Sequence, residues 1–172
     1  YPLKENKKIV YKNRKVGLGI MGFADMLVKL GIAYDSERGL ETAEQVMKFI
    51  SKEASVASLE LAAKRGAFPS WKGSAWNRKS RHFKGCHMLL RNATRTTIAP
   101  TGTISIIADV SSGIEPLFAL SYARKTAEGK TLIYFDKNLK KVLMENDLYN
   151  DEIIEKINRE GSIKNIEEIP EK

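Results

Sequence analysis

Thr101, Gly102, Thr103 and Ser105 place three hydroxyls and one glycine within five residues, directly after Pro100. Such a set can hold an anion: the hydroxyls donate hydrogen bonds, and glycine lets the backbone come close to a ligand. The run that leads in, Arg95 to Ala99, is β-compatible and ends at Pro100, which can neither continue a ladder nor donate to one. The apolar run Ile104 to Ala108 can then open a helix, whose first-turn N–H groups lie at the positive end of its dipole. A strand, a Thr/Gly/Ser turn and a helix N-terminus together read as a phosphate site over Pro100, Thr101, Gly102, Thr103, Ile104 and Ser105. The same residues also read as a plain N-cap, and spacing alone does not choose between the two.

The elements that must position this turn are mostly helical. Residues 1 to 13 are charged and read as an irregular connection. Val16 to Leu30 reads as a helix stopped by Gly31. Asp35 or Ser36 can cap a long helix whose apolar positions Leu40, Ala43, Val46, Met47, Ile50, Ala54, Ala57 and Leu61 recur at helical spacing, which predicts a buried stripe ending before Gly66. Ser70 to Gly85 reads as a loop, and Met88 to Leu90 returns the chain toward the turn. Short strands are expected near Phe118 to Tyr122 and Thr131 to Phe135. Helices should follow at Leu139 to Met144 and Glu152 to Arg159, the second closed by Gly161.

Three other groupings carry weaker chemistry. Gly17-Leu-Gly-Ile-Met-Gly22 has the spacing of a dinucleotide fingerprint, but the residues before it are charged where a buried strand is required. His82, Cys86 and His87 are metal-ligand types; Cys86 is the single cysteine, and three donors in a loop read as surface or packing residues rather than a zinc site. Glu115, in Ser111-Ser-Gly-Ile-Glu-Pro116, either returns toward the pocket or orders a loop after a helix stop at Gly113.

The formal net charge is +8, with basic residues clustered at Lys4 to Lys15 and at Lys72 to Lys84 beside Trp71, Trp76 and Phe83. Basic residues interleaved with aromatics can bind single strands. The milder reading is a positive field that steers a phosphorylated ligand, with no nucleic-acid partner. A sequence of 172 residues, 42% hydrophobic, can bury one sizeable core. It shows no signal peptide and no membrane span, so a cytoplasmic setting and no membrane partner are expected.

Asn92-Ala-Thr, Thr97-Ile-Ala-Pro-Thr-Gly-Thr-Ile-Ser105, Ser111-Ser-Gly-Ile-Glu-Pro116 and Phe118-Ala-Leu-Ser-Tyr122 resemble the large catalytic chain of ribonucleotide reductase, most of all its adenosylcobalamin-dependent branch. Arg14-Lys-Val-Gly-Leu-Gly-Ile-Met-Gly-Phe-Ala-Asp-Met-Leu27 resembles a second block of that family in the same order. The tail, Gly161-Ser-Ile near Ile169-Pro-Glu171, is similar to the segment that follows. The resemblance implies an α/β fold: a helix-rich part of a ten-stranded β/α barrel, with residues 1–172 a single C-terminal portion of it. It also assigns the glycines of Gly17 to Gly22 to close helix packing, and the turn at Pro100 to Ser105 to the phosphates of a ribonucleotide.

By the same resemblance the parent enzyme replaces the ribose 2′-hydroxyl by hydrogen through a thiyl radical, with adenosylcobalamin as cofactor and a thioredoxin-like protein as reductant. The radical cysteine of the family lies between asparagine and glutamate. Cys86 lies between Gly85 and His87, so it reads as a free thiol and no catalytic residue is expected here. The chain begins at Tyr1, reads as a piece truncated at both ends, and should not reduce ribonucleotides alone. A metal-cluster reductase shares much of the same turn, and a nucleotide- or phosphate-binding module without redox chemistry is the alternative from another class.

Overall fold

Lys4–Asn13 forms helix α1 although its sequence, KENKKIVYKN, offers no apolar face; none of its residues is buried, and Arg14 ends it in the left-handed region at φ 46°. The charged stretch expected to be irregular is therefore helical, because lysine and glutamate are good helix formers whether or not they pack. The computed structural model describes residues 1–125, 129 and 131–170. Glu171, quoted in the C-terminal resemblance, lies outside the described residues.

Residues 16–22, expected to begin a helix, are extended instead. The amides of Val16 and Leu18 donate to the carbonyls of Thr94 and Arg95 at 3.2 and 2.9 Å, and that of Thr97 donates back to Leu18 at 3.0 Å. Leu18 and Thr96 form a parallel bridge, the one position of the Arg95 to Ala99 run with ladder pairing. Glycine explains why. A Cβ on Gly17 would lie 2.6 Å from Thr97 Cγ2, and one on Gly19 would lie 2.8 Å from the Thr97 carbonyl oxygen, so the two segments come this close only without side chains there. These glycines serve close backbone packing of extended segments rather than of helices. Helix α2, Phe23–Lys29, then starts after Gly22 at φ 80°.

Helix α3, Glu37–Arg65, begins as expected at Ser36, whose hydroxyl accepts from the Gly39 amide at 3.1 Å, and ends at Gly66. Its expected apolar stripe is half-buried at Ala43, Val46, Met47, Ile50 and Ala54 and exposed at Leu40, Ala57 and Leu61. Leu40 is 67% and Phe49 65% exposed, while the buried positions are Gly39, Ser55, Ser58 and Ala62. Small polar residues lie on the packed side because the 91–95 segment is held there by hydrogen bonds. Ser58 Oγ donates to Asn92 Oδ1 at 3.0 Å and accepts from the Asn92 amide at 3.1 Å, and Ser55 Oγ accepts from Arg95 Nε at 3.1 Å. Residues 70–85 form the expected loop, with one 3-10 turn at Trp71–Gly73.

Helix α4, Ile104–Ala108, follows the Thr/Gly/Ser turn and is a single turn long. Strands β1, Ser121–Lys125, and β2, Thr131–Phe135, form a two-stranded antiparallel sheet in which Ser121 faces Phe135 and Tyr122 faces Tyr134. The first strand starts three residues beyond the expected Phe118. Helices α5, Lys137–Glu145, and α6, Asp151–Glu160, are capped by Asp136 and Asn150, which accept from the amides three residues on, and Gly161 closes α6 in the left-handed region.

Contacts divide the chain into two units, Tyr1–Met21 with Asp35–Thr101 and Gly22–Tyr34 with Gly102–Lys172. In the second, Leu139, Leu143, Ile153, Ile157 and Ile166 form a closed core against which Leu120, Phe135 and Leu148 pack. In the first, Ala62, Phe68 and Leu90 are the buried hydrophobics. The architecture is helix-rich, with β-structure limited to one hairpin and one bridge among the described residues.

Candidate functional site

Gly102 opens the second unit, and a Cβ built on it meets nothing within 4 Å. Its φ is ordinary; the left-handed residue of the turn is Thr101, at φ 55°. A β-branched residue in that region costs about 1 to 3 kcal/mol, which the surrounding structure must offset. Pro100 is exposed and Thr101 half-buried at the end of the first unit, while Thr103 and Ile104 are exposed. Ser105 is buried at 2% exposure, and its hydroxyl shares a 3.0 Å hydrogen bond with Ser112.

Gly102 and Ser105 lie on the wall of a cavity of about 410 Å³, together with Asp109, Glu115, Phe118 and Tyr134. That volume is within the range of small-molecule sites. α4 ends at Asp109, left-handed at φ 52°, rather than at Gly113 as the sequence suggested. A carboxylate at a left-handed C-cap is unusual and has a partner, since Lys137 Nζ reaches Asp109 Oδ2 at 2.8 Å and also the Asp109 carbonyl. Glu115 is exposed on the same wall, and its amide donates to the Ser112 carbonyl at 3.0 Å. Tyr122 and Tyr134 stack with centroids 4.8 Å apart. Burial first, and then the nearby carboxylates led by Asp136, hold the Tyr134 phenol above its ordinary value.

Asp25 positions the loop that carries Ser111 and Ser112. It is 5% exposed; its own amide donates to Ser111 Oγ at 3.2 Å, its Oδ2 accepts from the Ser111 amide at 3.0 Å, and its Oδ1 accepts from Asn138 Nδ2 at 3.3 Å. The Gly22 amide adds a 2.7 Å bond to the Ser111 carbonyl, and Tyr34 Oη donates to the Ile114 carbonyl at 2.7 Å. No sequence motif assigns Asp25 a role at this cavity. Its partner is 86 residues away, and the only signal was an aspartate within an otherwise apolar segment.

The other sequence candidates belong to the first unit. Cys86 is a free, exposed thiol. His82 Nε2 accepts from Arg81, and His87 Nδ1 accepts from the Arg78 amide while its ring meets Trp71 edge to face. Trp76 stacks under Arg95 at 4.6 Å, and Trp71 Nε1 donates to the Met88 carbonyl, so both indoles serve the fold. Among the described residues no helix is long and apolar enough to cross a membrane.

All 172 residues match the family model described as the ribonucleotide reductase barrel domain. The chain belongs to that family. It is 43% identical over 166 residues to the vitamin B12-dependent ribonucleoside-diphosphate reductase of Thermoplasma acidophilum, covering 96% of this chain and 21% of that one. To the enzyme of the same description from Mycobacterium tuberculosis it is 37% identical, over 99% of this chain and 23% of that one. The chain spans about a fifth of the length of these relatives. To the ribonucleoside-diphosphate reductase subunit alpha of Chlamydia muridarum it is 31% identical, over 99% of this chain and 19% of that one. Among solved structures, the class Id ribonucleotide reductase alpha subunit of Actinobacillus ureae superposes with a TM-score of 0.75 at 27% identity, over 95% of this chain and 27% of that one.

Proposed function

We propose that this chain forms the substrate-phosphate part of a ribonucleotide reductase's catalytic barrel, one C-terminal portion of a ten-stranded β/α barrel whose parent converts ribonucleotides to 2′-deoxyribonucleotides in the cytoplasm. The observation that carries the reading is the open space at Gly102 on the wall of the 410 Å³ cavity, where backbone can meet a ligand with no side chain between. Pro100 and Thr101 set the direction of the chain into Gly102, and Thr103, Ile104 and Ser105 follow with hydroxyl and amide donors. α4 contributes only one turn of dipole, so hydrogen bonds rather than the macrodipole do the holding.

Charge orients the ligand. Asp109 is paired with Lys137, whereas Glu115, on the cavity wall, has no ion-pair partner among the described residues. A phosphate is repelled from Glu115 toward the Gly102 side. The hydroxyl-bearing, neutral part of the ligand then faces Glu115, which can accept hydrogen bonds from it.

Adenosylcobalamin would supply the radical in the parent, and a thioredoxin-like protein the electrons. The described residues contain no group of three or more His, Cys, Asp or Glu side chains that could hold a metal, and a cavity of 410 Å³ suits a nucleotide rather than a corrin. These residues do not fit the cofactor.

The test is substrate affinity of the intact reductase carrying single substitutions, with thermal stability as a control. Gly102→Val should weaken binding most, by filling the open space and separating several donors from the phosphate. Thr103→Ala should cost about 0.5 to 1.5 kcal/mol, one ordinary hydrogen bond. Nucleotide bound by Gly102→Val as well as by the parent would reduce the turn to a helix cap.

A further inference from the structure

The first unit has its own cavity, of about 400 Å³, lined by no carboxylate side chain and by four cations, Arg14, Lys15, Arg65 and Arg91, beside Tyr1, Tyr11 and Asn92. The four cations come from three places in the sequence, and among the described residues no carboxylate lies within ion-pair distance of any of them. Like charges gathered without counter-charges repel one another, and the cost is visible at Arg91. Burial, then the Arg14 and Arg65 charges, hold its guanidinium below the ordinary value.

The arrangement is also fixed in place. Arg91 Nη1 donates to the carbonyls of Arg65 and Gly66 at 2.9 and 3.0 Å, which ties it to the end of α3. Arg14 sits in the left-handed region at φ 46°, with its guanidinium 5.6 Å from the Tyr11 ring centroid. Its Nε is buried with no hydrogen-bond partner among the described residues. A buried charged donor left unpaired is costly, and an acceptor in the cavity would remove that cost. Asn92 completes the wall by donating to the Arg14 carbonyl at 2.9 Å.

We propose that this cavity is a binding site for a polyphosphate group, either free polyphosphate or the phosphate chain of a nucleotide. Several cations around one concavity match an anion with several charges along a short chain, and planar guanidinium forks suit phosphate oxygens. The site shares no lining residue with the cavity beside Gly102 and does not depend on the reading given to it.

Titration of the intact reductase with inorganic tripolyphosphate, pyrophosphate, sulfate and ATP, followed by calorimetry, tests this. Tripolyphosphate should bind saturably at one site, more tightly than pyrophosphate, with sulfate weakest. Arg65→Gln and Lys15→Gln, which remove exposed side chains, should each weaken tripolyphosphate binding by about tenfold, the loss of one charge-assisted contact. Gly102→Val should leave it unchanged. ATP bound much more tightly than tripolyphosphate would point to a nucleotide, and equal binding to free polyphosphate; both support the site. No saturable binding, unchanged affinity in both cation variants, loss in Gly102→Val instead, or a single-stranded oligonucleotide binding more tightly per phosphate would each overturn it.

Discussion

The two units of this chain solve the same problem in opposite ways. The second closes a core of leucine and isoleucine from α5, α6 and the C-terminal turns, with Leu143 1% and Ile157 0% exposed. The first buries only Ala62, Phe68 and Leu90 among its hydrophobic residues and holds its longest helix by serine hydroxyls and an asparagine. Charge divides along the same line. The first unit carries 18 Lys and Arg against 7 Asp and Glu, and the second 11 against 14. Stability in one rests on the hydrophobic effect, and in the other on directional bonds around extended backbone.

The sharpest way to break this comparison is to truncate one leucine in each unit. Leu143→Ala should cost about 2 to 5 kcal/mol in urea denaturation, because it empties a closed core. Leu40→Ala, on α3, should stay within about 0.5 kcal/mol. An equal cost would mean that Leu40 is covered in solution.

Backbone approach gives the next effect. Gly19→Ala pushes a methyl group into the Thr97 carbonyl and should destabilise by about 1 to 3 kcal/mol. Gly102→Ala meets open space and should leave the unfolding midpoint almost unchanged. Reversal of that order would show that residues 16–22 and 94–97 do not lie as close as described.

Caps come third. Asn150→Ala should cost about 1 kcal/mol by leaving the Ile153 amide without its acceptor, and Ser36→Ala a similar amount at α3. Equal losses in both units would confirm that local caps are the part of the design that they share.

The smallest effect belongs to an exposed ion pair in the second unit. The hydrogen bond from Lys156 holds the Glu168 carboxyl below its ordinary value, and that bond, followed by one to Glu152, holds Lys156 above its own. The Glu168 contribution is present above the ordinary carboxylate value and is lost as pH falls through the depressed one. The Lys156 contribution is present below the ordinary amine value and is lost as pH rises through the raised one. Thermal midpoints of the parent and Glu168→Gln should differ slightly at neutral pH, converge in acid, and draw together in high salt. A gap that persists in strong acid would assign it to something other than this pair.

Local features were legible in the sequence and distant ones were not. Ser36 before an apolar periodicity, Gly66 after it and Gly161 after the last helix are signals within one turn of the ends they mark, and each sits where expected. α1 was missed because a helix that buries nothing leaves no periodicity. Residues 16–22 looked helical from their apolar content, yet glycine at 17, 19 and 22 and pairing with a segment some 78 residues on decide for extended backbone. The candidate turn was readable as a string of residue types. The hold of Asp25 on Ser111 was not, nor the meeting of Arg14, Arg65 and Arg91, since each depends on contacts between distant parts of the chain.

Thr101 offers a different kind of experiment. A residue with a branched Cβ at φ 55° is disfavoured on conformational grounds alone, and glycine there would relieve the backbone. Laboratory evolution of the intact enzyme under heat alone should therefore drift toward Thr101→Gly, whereas a screen for deoxyribonucleotide supply should hold the threonine. Where the two selections part at this codon, the trade between durability and turnover can be read from a single residue.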